Sequence, residues 1–442
     1  MREFQFVKKH CERGMAMLEM VAEGVDLQAM GQSARTAAAA LAQKSTQEKN
    51  AALLAIADAL ETRTDEILAA NQRDLDLAAE NGIDPIWIRD RIDLRKRMPG
   101  IIADVRKVAE LPDPVGELLL DSTLENGLRL MKRRTPLGVL GTIYESRPNV
   151  TVDISTLALK TSNAVILRGG SDVLHSNMKL TEALQGVLAR HDFPTSAIQY
   201  ISSTDRRYVS EMLRLYEYID MIIPRGGNGL HTFCRENSSI PVITGGIGVC
   251  HIFVDACADL DKALPLLNNA KTQRPAVCNS METLLAHEAV AAELLPRVVD
   301  ELGAEGVEFH AGSRALDIVG GDARVLPALD GDFDTEWYNL TLNLKVVDNV
   351  DEAIAHIARH GTQHSDSILT ETPARAEKFL NEVDSAAVYW NASTRFTDGS
   401  AMGMGAEVAI STQKLHARGP MALEELTTYK WIVKGDYTVR AG

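Results

Sequence analysis

One cysteine stands where its type and neighbours could do chemistry. Cys278 lies in Asn269-Ala-Lys-Thr-Gln-Arg-Pro-Ala-Val-Cys-Asn-Ser280, with Lys271, Gln273 and Arg274 ahead of it and an apolar run, 283–290, behind. Pro275 stops any helix begun at Asn269, so the thiol is expected on a loop. A cysteine on a loop beside cations has its thiolate favoured and can attack a carbonyl. The same residue is equally at home as a small buried hydrophobe, and the local pattern leaves both readings open.

Two further signals concern anions. Arg168-Gly-Gly-Ser171 and Arg225-Gly-Gly227 each close a short apolar run. Paired glycines let backbone N–H groups approach a phosphate, and a helix start behind them favours negative charge. One such turn is weak evidence; two in one sheet point to a dinucleotide. The chain holds no GxGxxG, so the ordinary Rossmann fingerprint does not apply. His356, His360 and His364 recur every four residues, but Gly361 ends the helix that would align them, and no metal site is assigned.

The elements that must position these groups alternate. Strands at 139–144, 163–167, 198–201 and 221–223 are separated by helices at 150–159, 178–189 and 207–215. That order implies a parallel sheet covered on both faces, with ligands at the strands' C-terminal ends. Strand 251–254 follows the first region, and then a second alternating region has strands at 283–286, 307–310, 343–347, 367–369 and 387–390, with Cys278 at its entrance. Ahead of both, 26–72 reads as helix, with Ser45-Thr-Gln-Glu48 as a capping box. Runs 118–120 and 128–134 around Asn126-Gly127 read as a hairpin. Segments 427–433 and 437–440 are strand-like and could pair with that hairpin in the same or another subunit. Residues 1–24 read as an amphipathic helix without an assigned function.

At 442 residues the chain is long enough for two or three domains, and its net charge of -15 argues against a general nucleic-acid binder. No stretch approaches the roughly 20 apolar residues of a membrane span, and the N-terminus lacks a signal-peptide pattern. Five sparse cysteines without a CxxC pair suit reduced thiols in the cytoplasm.

Taken together, the motifs resemble the aldehyde dehydrogenase superfamily and, within it, the gamma-glutamyl phosphate reductase family, over roughly 30–441. Residues 136–151, 219–227, 240–251, 269–275, 391–399 and 411–420 carry the likeness. The resemblance implies an α/β fold, aldehyde dehydrogenase-like, with two Rossmann-like α/β domains and a small β oligomerisation ribbon. The expected division is an N-terminal extension (1–24), a cofactor domain (25–117 and 136–254), a ribbon (118–135 and 427–442) and a catalytic domain (255–426), the end of which could return to the cofactor domain.

The resemblance also implies a reaction: NADPH-dependent reduction of L-glutamate 5-phosphate to L-glutamate 5-semialdehyde and phosphate, the second step of proline synthesis from glutamate. Cys278 aligns with the family nucleophile and Asn149 with its oxyanion-hole amide, although Asn149 also suits a helix N-cap. Arg168 with Ser171 would meet a 2′-phosphate, Arg225, Gly226 and Gly227 the pyrophosphate, and Glu336 the nicotinamide ribose. Arg147, Arg274 and Arg395 are candidate partners for substrate anions. Oxidising members carry a water-activating Glu where Ile243 stands here. A homo-oligomer and channelling from a glutamate 5-kinase are further expectations. The competing readings are an oxidising aldehyde dehydrogenase and a catalytically silent dinucleotide-binding protein.

Overall fold

The computed structural model describes residues 24–245 and 247–440, so the expected helix over 1–24 lies outside the described residues except for Gly24. The chain divides into two compact units, the first holding 24–225, 232–242 and 426–440, the second 226–231 and 243–425.

The first unit begins with helices α1 (Leu27–Leu41), α2 (Thr46–Thr62), α3 (Thr64–Glu80) and α4 (Met98–Glu110). Asp26 caps α1 through the Ala29 N–H, and Ser45 with Glu48 forms a reciprocal capping box on α2. The hairpin strands β1 (Leu118–Thr123) and β2 (Arg129–Pro136) follow, their turn made possible by Gly127 at φ 84°. The C-terminal strand Thr427–Lys434 of this same chain pairs antiparallel with β2, giving a three-stranded sheet. Pairing runs from Thr427 opposite Pro136 to Lys434 opposite Arg129, where β2 begins. Segment 437–440 therefore has no partner strand and is not a strand, contrary to its sequence pattern.

Behind the hairpin come β3 (Val139–Tyr144), α5 (Asn149–Lys160), β4 (Ala164–Gly169), α6 (Leu174–Arg190), β5 (Ile198–Tyr200), α7 (Arg207–Met212) and β6 (Met221–Arg225). They build a parallel sheet of order β5-β4-β3-β6. Every residue of β3 and β4 is buried, which is why both read as continuous apolar runs.

The second unit is built on a seven-stranded parallel sheet. In chain order its elements are β7 (Cys250–Val254), α8 (Leu260–Thr272), β8 (Met281–His287), α9 (Glu288–Ala304), β9 (Glu308–Ala311), β10 (Val325–Pro327), β11 (Thr341–Val347), α10 (Val350–His360), β12 (Ser365–Leu369) and β13 (Ala387–Trp390). The sheet order is β10-β9-β11-β8-β7-β12-β13. A short antiparallel pair, β14 (Ala409–Ser411) with β15 (Gly419–Met421), completes the unit. Two expected boundaries are corrected here. β7 was assigned to the cofactor domain ending at 254, yet it lies between β8 and β12, so the main span of the second unit starts at Ile243. Alternation in sequence gives strands but not their neighbours, and that is why the border moved. The end of the catalytic segment does not return to the first unit before Leu426. Among the described residues no helix is long and apolar enough to cross a membrane.

Candidate active site

Cys278 lies on the loop 273–280 between α8 and β8. α8 starts on the Asp259 cap and runs to Thr272, and Pro275 falls just beyond it. The far side of the loop is pinned from below: the Asn279 amide donates to the Thr397 carbonyl at 2.9 Å, and Thr394 Oγ1 donates to the Asn279 carbonyl at 2.8 Å. Cys278 is itself half-buried rather than sealed in the core. Its carbonyl oxygen accepts from the Cys250 thiol at 3.1 Å. Burial pushes that Cys250 thiol far up, so it stays a neutral donor. Gly248 presses on the same peptide: a Cβ there would overlap the Cys278 carbonyl and come within 3.0 Å of its Cα. Only glycine fits at 248, because backbone meets backbone.

Two of the expected arginines belong to this neighbourhood. Arg395 follows the Ser393 cap of a short helical turn, and its Nε donates to Gln273 Oε1 at 3.2 Å. Burial, then the charge of Arg274, pushes the Arg395 guanidinium down, while Asp398 and Cys278 pull it back up. Two cations beside one thiol make a local positive field in a chain of net charge -15.

Beneath the loop, Lys271 Nζ meets Glu282 Oε2 at 2.7 Å, with both side chains fully buried. Burial raises the Glu282 carboxyl against the pull of Lys271, and burial lowers Lys271. The pair ties the last turn of α8 to β8 and so brackets the Cys278 loop. Sequence reasoning took Lys271 only as a nearby cation and missed Glu282, four residues after the cysteine.

Glu336 sits in the loop before β11, half-buried, not solvated as a loop acid would ordinarily be. Its two oxygens are buried, with Tyr338 and the Gly248 N–H as their nearest donors. Burial pushes the carboxyl up, opposed by Tyr338, the nearby Gly248 N–H and Lys271. Ile243 is 2 % exposed, an apolar side chain buried in the fold.

In the first unit the candidate residues gather at the C-terminal strand ends. After β3 the chain turns through Ser146 at φ 37°, a left-handed residue that reverses the path before Arg147 and Pro148. Asn149 is the first residue of α5, with Pro148 in the cap position, so its side chain is not the N-cap. Instead its carbonyl oxygen accepts from Arg97 at 2.8 Å and its amide donates to Asp153 Oδ2 at 2.7 Å. This arrangement fixes which end of the amide is nitrogen and leaves one N–H uncommitted to the carboxylate. Burial pushes the Asp153 carboxyl up to about 6, held back by Asn149 and by Arg225 at the end of β6. Asp153 was readable as the i+4 neighbour of Asn149 on one helix face; Arg97 was not.

Arg168 departs from the expected open phosphate ligand. It is 8 % exposed, with Nη1 and Nη2 donating to the Gly169 and Thr204 carbonyls at 2.7 and 3.0 Å. Ser171 is exposed and starts the turn into α6. Beyond Arg225, a Cβ on Gly227 would meet nothing within 4 Å, so the fold itself does not demand that glycine. The three histidines are otherwise engaged. His356 Nδ1 contacts Lys345 Nζ, His360 Nδ1 contacts Asp334 and His364 Nδ1 contacts Ser365 Oγ.

The family follows from comparison with known proteins. The model of the aldehyde dehydrogenase family matches residues 15–308. The chain belongs to the aldehyde dehydrogenase family. It is 55% identical over 94% of its length to the whole of a gamma-glutamyl phosphate reductase from Cronobacter sakazakii, and 54% identical over 94% to one from Photobacterium profundum, again covered completely. The crystal structure of gamma-glutamyl phosphate reductase from Thermotoga maritima superposes with a TM-score of 0.92 at 48% identity, over 94% of this chain and 100% of that one. Within the family the chain therefore stands with the gamma-glutamyl phosphate reductases.

Proposed function

We propose that the chain reduces L-glutamate 5-phosphate to L-glutamate 5-semialdehyde and phosphate with NADPH, the second step of proline synthesis from glutamate. The observation that carries this reading is the Cys278 loop: a half-buried thiol near Arg395, which itself feels Arg274, its peptide held by Cys250 and Gly248, with apolar Ile243 where the resemblance puts a hydrolytic base in oxidising members.

The Cys278 thiolate attacks the acyl carbon, the C–S bond forms, and the C–O bond to phosphate breaks, leaving a thioester on Cys278. The uncommitted Asn149 N–H and the Cys278 backbone N–H hold the oxyanion as it develops. Arg147, Arg274 and Arg395 neutralise the substrate's anionic groups. Bound NADPH supplies the hydride that reduces the thioester to the aldehyde, releasing the thiolate. Glu336, a half-buried carboxyl, suits the nicotinamide ribose hydroxyls, and Arg168 with Ser171 suits the adenosine end. Arg225, Gly226 and Gly227 take the pyrophosphate.

The thioester passes to hydride or, in reverse, to phosphate, because no side-chain base at 243 activates water. We place the enzyme in the cytoplasm as a homo-oligomer. Free thiols at Cys234, Cys250, Cys257 and Cys278 support the first, and the exposed Leu118, Leu119, Leu120, Trp431 and Val433 of the three-stranded sheet support the second. Channelling from a glutamate 5-kinase is part of the same proposal and rests on the resemblance alone.

The test is the reverse reaction. Purified protein is mixed with glutamate 5-semialdehyde, in equilibrium with its cyclic imine, and NADP⁺, with and without phosphate. Steady cofactor reduction that requires phosphate supports the reading. Equal turnover without phosphate means water resolves the thioester and replaces it with an oxidising dehydrogenase.

A further inference from the structure

Arg97 is absent from the mechanism above, yet it holds one end of the amide on which that mechanism relies. Its backbone is anchored first. Asn71, fully buried on α3, donates its amide to the Ile92 carbonyl at 2.9 Å and accepts from the Leu94 N–H at 3.0 Å. The Arg97 N–H donates to the Leu94 carbonyl at 2.9 Å and its own carbonyl accepts from the Ile101 N–H at 3.0 Å, which sets Arg97 at the start of α4. From there the half-buried guanidinium bridges two acceptors: Nη1 donates to the Arg91 carbonyl at 3.1 Å and Nη2 to Asn149 Oδ1 at 2.8 Å. At the other end of the same amide, Asn149 Nδ2 donates to Asp153 Oδ2 at 2.7 Å. The two partners are not equivalent. A guanidinium has only donors and keeps its charge at any working pH, so it takes only the oxygen end of the amide. A carboxyl is selective only while ionised; once protonated it can donate to Oδ1 as readily as it accepts from the N–H. Burial pushes Asp153 up to about 6; the Asn149 bond, Arg225 at the end of β6 and Arg97 pull it down, and Asp104 on α4 adds to the rise. Arg97 is therefore the partner that discriminates the two ends of the amide throughout the neutral range.

We propose that Arg97 is a positioning residue for the reaction: its bond to Oδ1 keeps the Asn149 amide turned so that the uncommitted N–H, and not the oxygen, is offered to the oxyanion. The inference rests on the reading of Asn149 as the oxyanion donor and names the group that orients it. The terminal torsion of an asparagine is broad and roughly two-fold, so without a discriminating partner the amide can turn over. An amide oxygen facing a developing oxyanion repels it. The charge-assisted bond from Arg97 also draws electron density toward Oδ1 and makes the remaining N–H a stronger donor.

The experiment is steady-state reduction of freshly generated glutamate 5-phosphate by NADPH in the full-length wild type, Arg97→Met, Arg97→Lys, Asn149→Ala and the double variant Arg97→Met with Asn149→Ala, each checked for a folded circular dichroism spectrum. Arg97→Met is expected to lose about ten- to hundredfold in kcat with KM little changed, short of the loss on removing an oxyanion donor outright. Arg97→Lys, which keeps a charge and a donor but not the fork, should recover part of it. In the Asn149→Ala background Arg97→Met should cost nothing further, because both changes act through one group. The loss in Arg97→Met should also be larger at pH 6 than at pH 8, where ionised Asp153 still selects the nitrogen end. Equal losses from Arg97→Met in both backgrounds would mean that Arg97 only supports the fold, and would overturn the assignment while leaving Asn149 in its role. Wild-type kcat in Arg97→Met would overturn it too. Wild-type kcat in Asn149→Ala would instead remove the oxyanion reading itself, and this proposal with it.

Discussion

Replacing Gly248 by alanine asks whether the segment that packs on Cys278 sets the geometry of the thiol. A methyl group at 248 would overlap the Cys278 carbonyl oxygen and carbon and lie 3.0 Å from its Cα. All three are backbone atoms, so no rotamer change relieves the clash. β7 cannot retreat, because every residue from Cys250 to Val254 is buried and His251 to Val254 are paired on both sides. The Cys278 peptide must recede by at least about 1 Å, and a misplacement of that size costs about a hundredfold in rate. The same shift turns the Cys278 N–H away from the oxyanion it is proposed to hold. Overpacking in a folded interior costs about 1–3 kcal/mol, so the variant should still fold. We expect kcat to fall about a hundredfold with a folded circular dichroism spectrum and a slower reaction of Cys278 with iodoacetamide. The assay is NADPH oxidation with freshly generated glutamate 5-phosphate, followed by alkylation kinetics. Wild-type kcat and wild-type alkylation in Gly248→Ala would refute the reasoning that this glycine holds the nucleophile in place.

Further expectations follow from the same structure. Asn149→Ala should lower kcat by about 10²–10³ with little change in KM, read from steady-state kinetics; a change in KM alone would assign Asn149 to ground-state binding. Lys271→Met should lower the urea midpoint by the equivalent of about 3–5 kcal/mol, because buried Glu282 loses its cation, and adding Glu282→Leu should restore much of it; no recovery in the double variant would contradict the ion-pair account. Acid should destabilise the fold through its buried histidines: burial depresses His364 to about 4 and His356 to about 2. As pH falls below the ordinary 6.5, the unfolded chain takes up protons that the folded one refuses, so stability drops, by about 2–3 kcal/mol per histidine at pH 4.5. Asp153 and Glu282, raised by burial, work in the opposite direction. Urea midpoints at pH 7 and pH 4.5 should therefore converge in His364→Gln, and an unchanged gap would contradict the assignment.

The legible parts of this fold are those with local causes. Pro275 ends α8 and frees the Cys278 loop; Asn126-Gly127 makes the hairpin; runs buried on both faces make β3 and β4. Strand neighbours were not legible, because β7 finds its place between β8 and β12 through pairings made by residues 115 positions away, as Asp366 opposite His251 shows. The strand-like pattern at 437–440 failed for a related reason: β2 runs out of residues before it can be paired. At the site, residue types were readable but their partners were less so. Asn149 gave itself away, and Asp153 could have been found from helical spacing, while Arg97 arrives from a different helix terminus. Arg168 was expected to face a ligand, yet two of its nitrogens go to backbone carbonyls, and nothing in the sequence foretold that turn.

The most direct test of the account is capture of the acyl group on Cys278. The protein is mixed with glutamate 5-semialdehyde and excess NADP⁺ in phosphate-free buffer, quenched in acid and digested for mass spectrometry. The account predicts a burst of reduced cofactor close to one equivalent per subunit, then a stall, with the Cys278 peptide carrying one glutamyl group that disappears when phosphate is added. Continued turnover without phosphate, or a burst that leaves Cys278 unmodified, would contradict it.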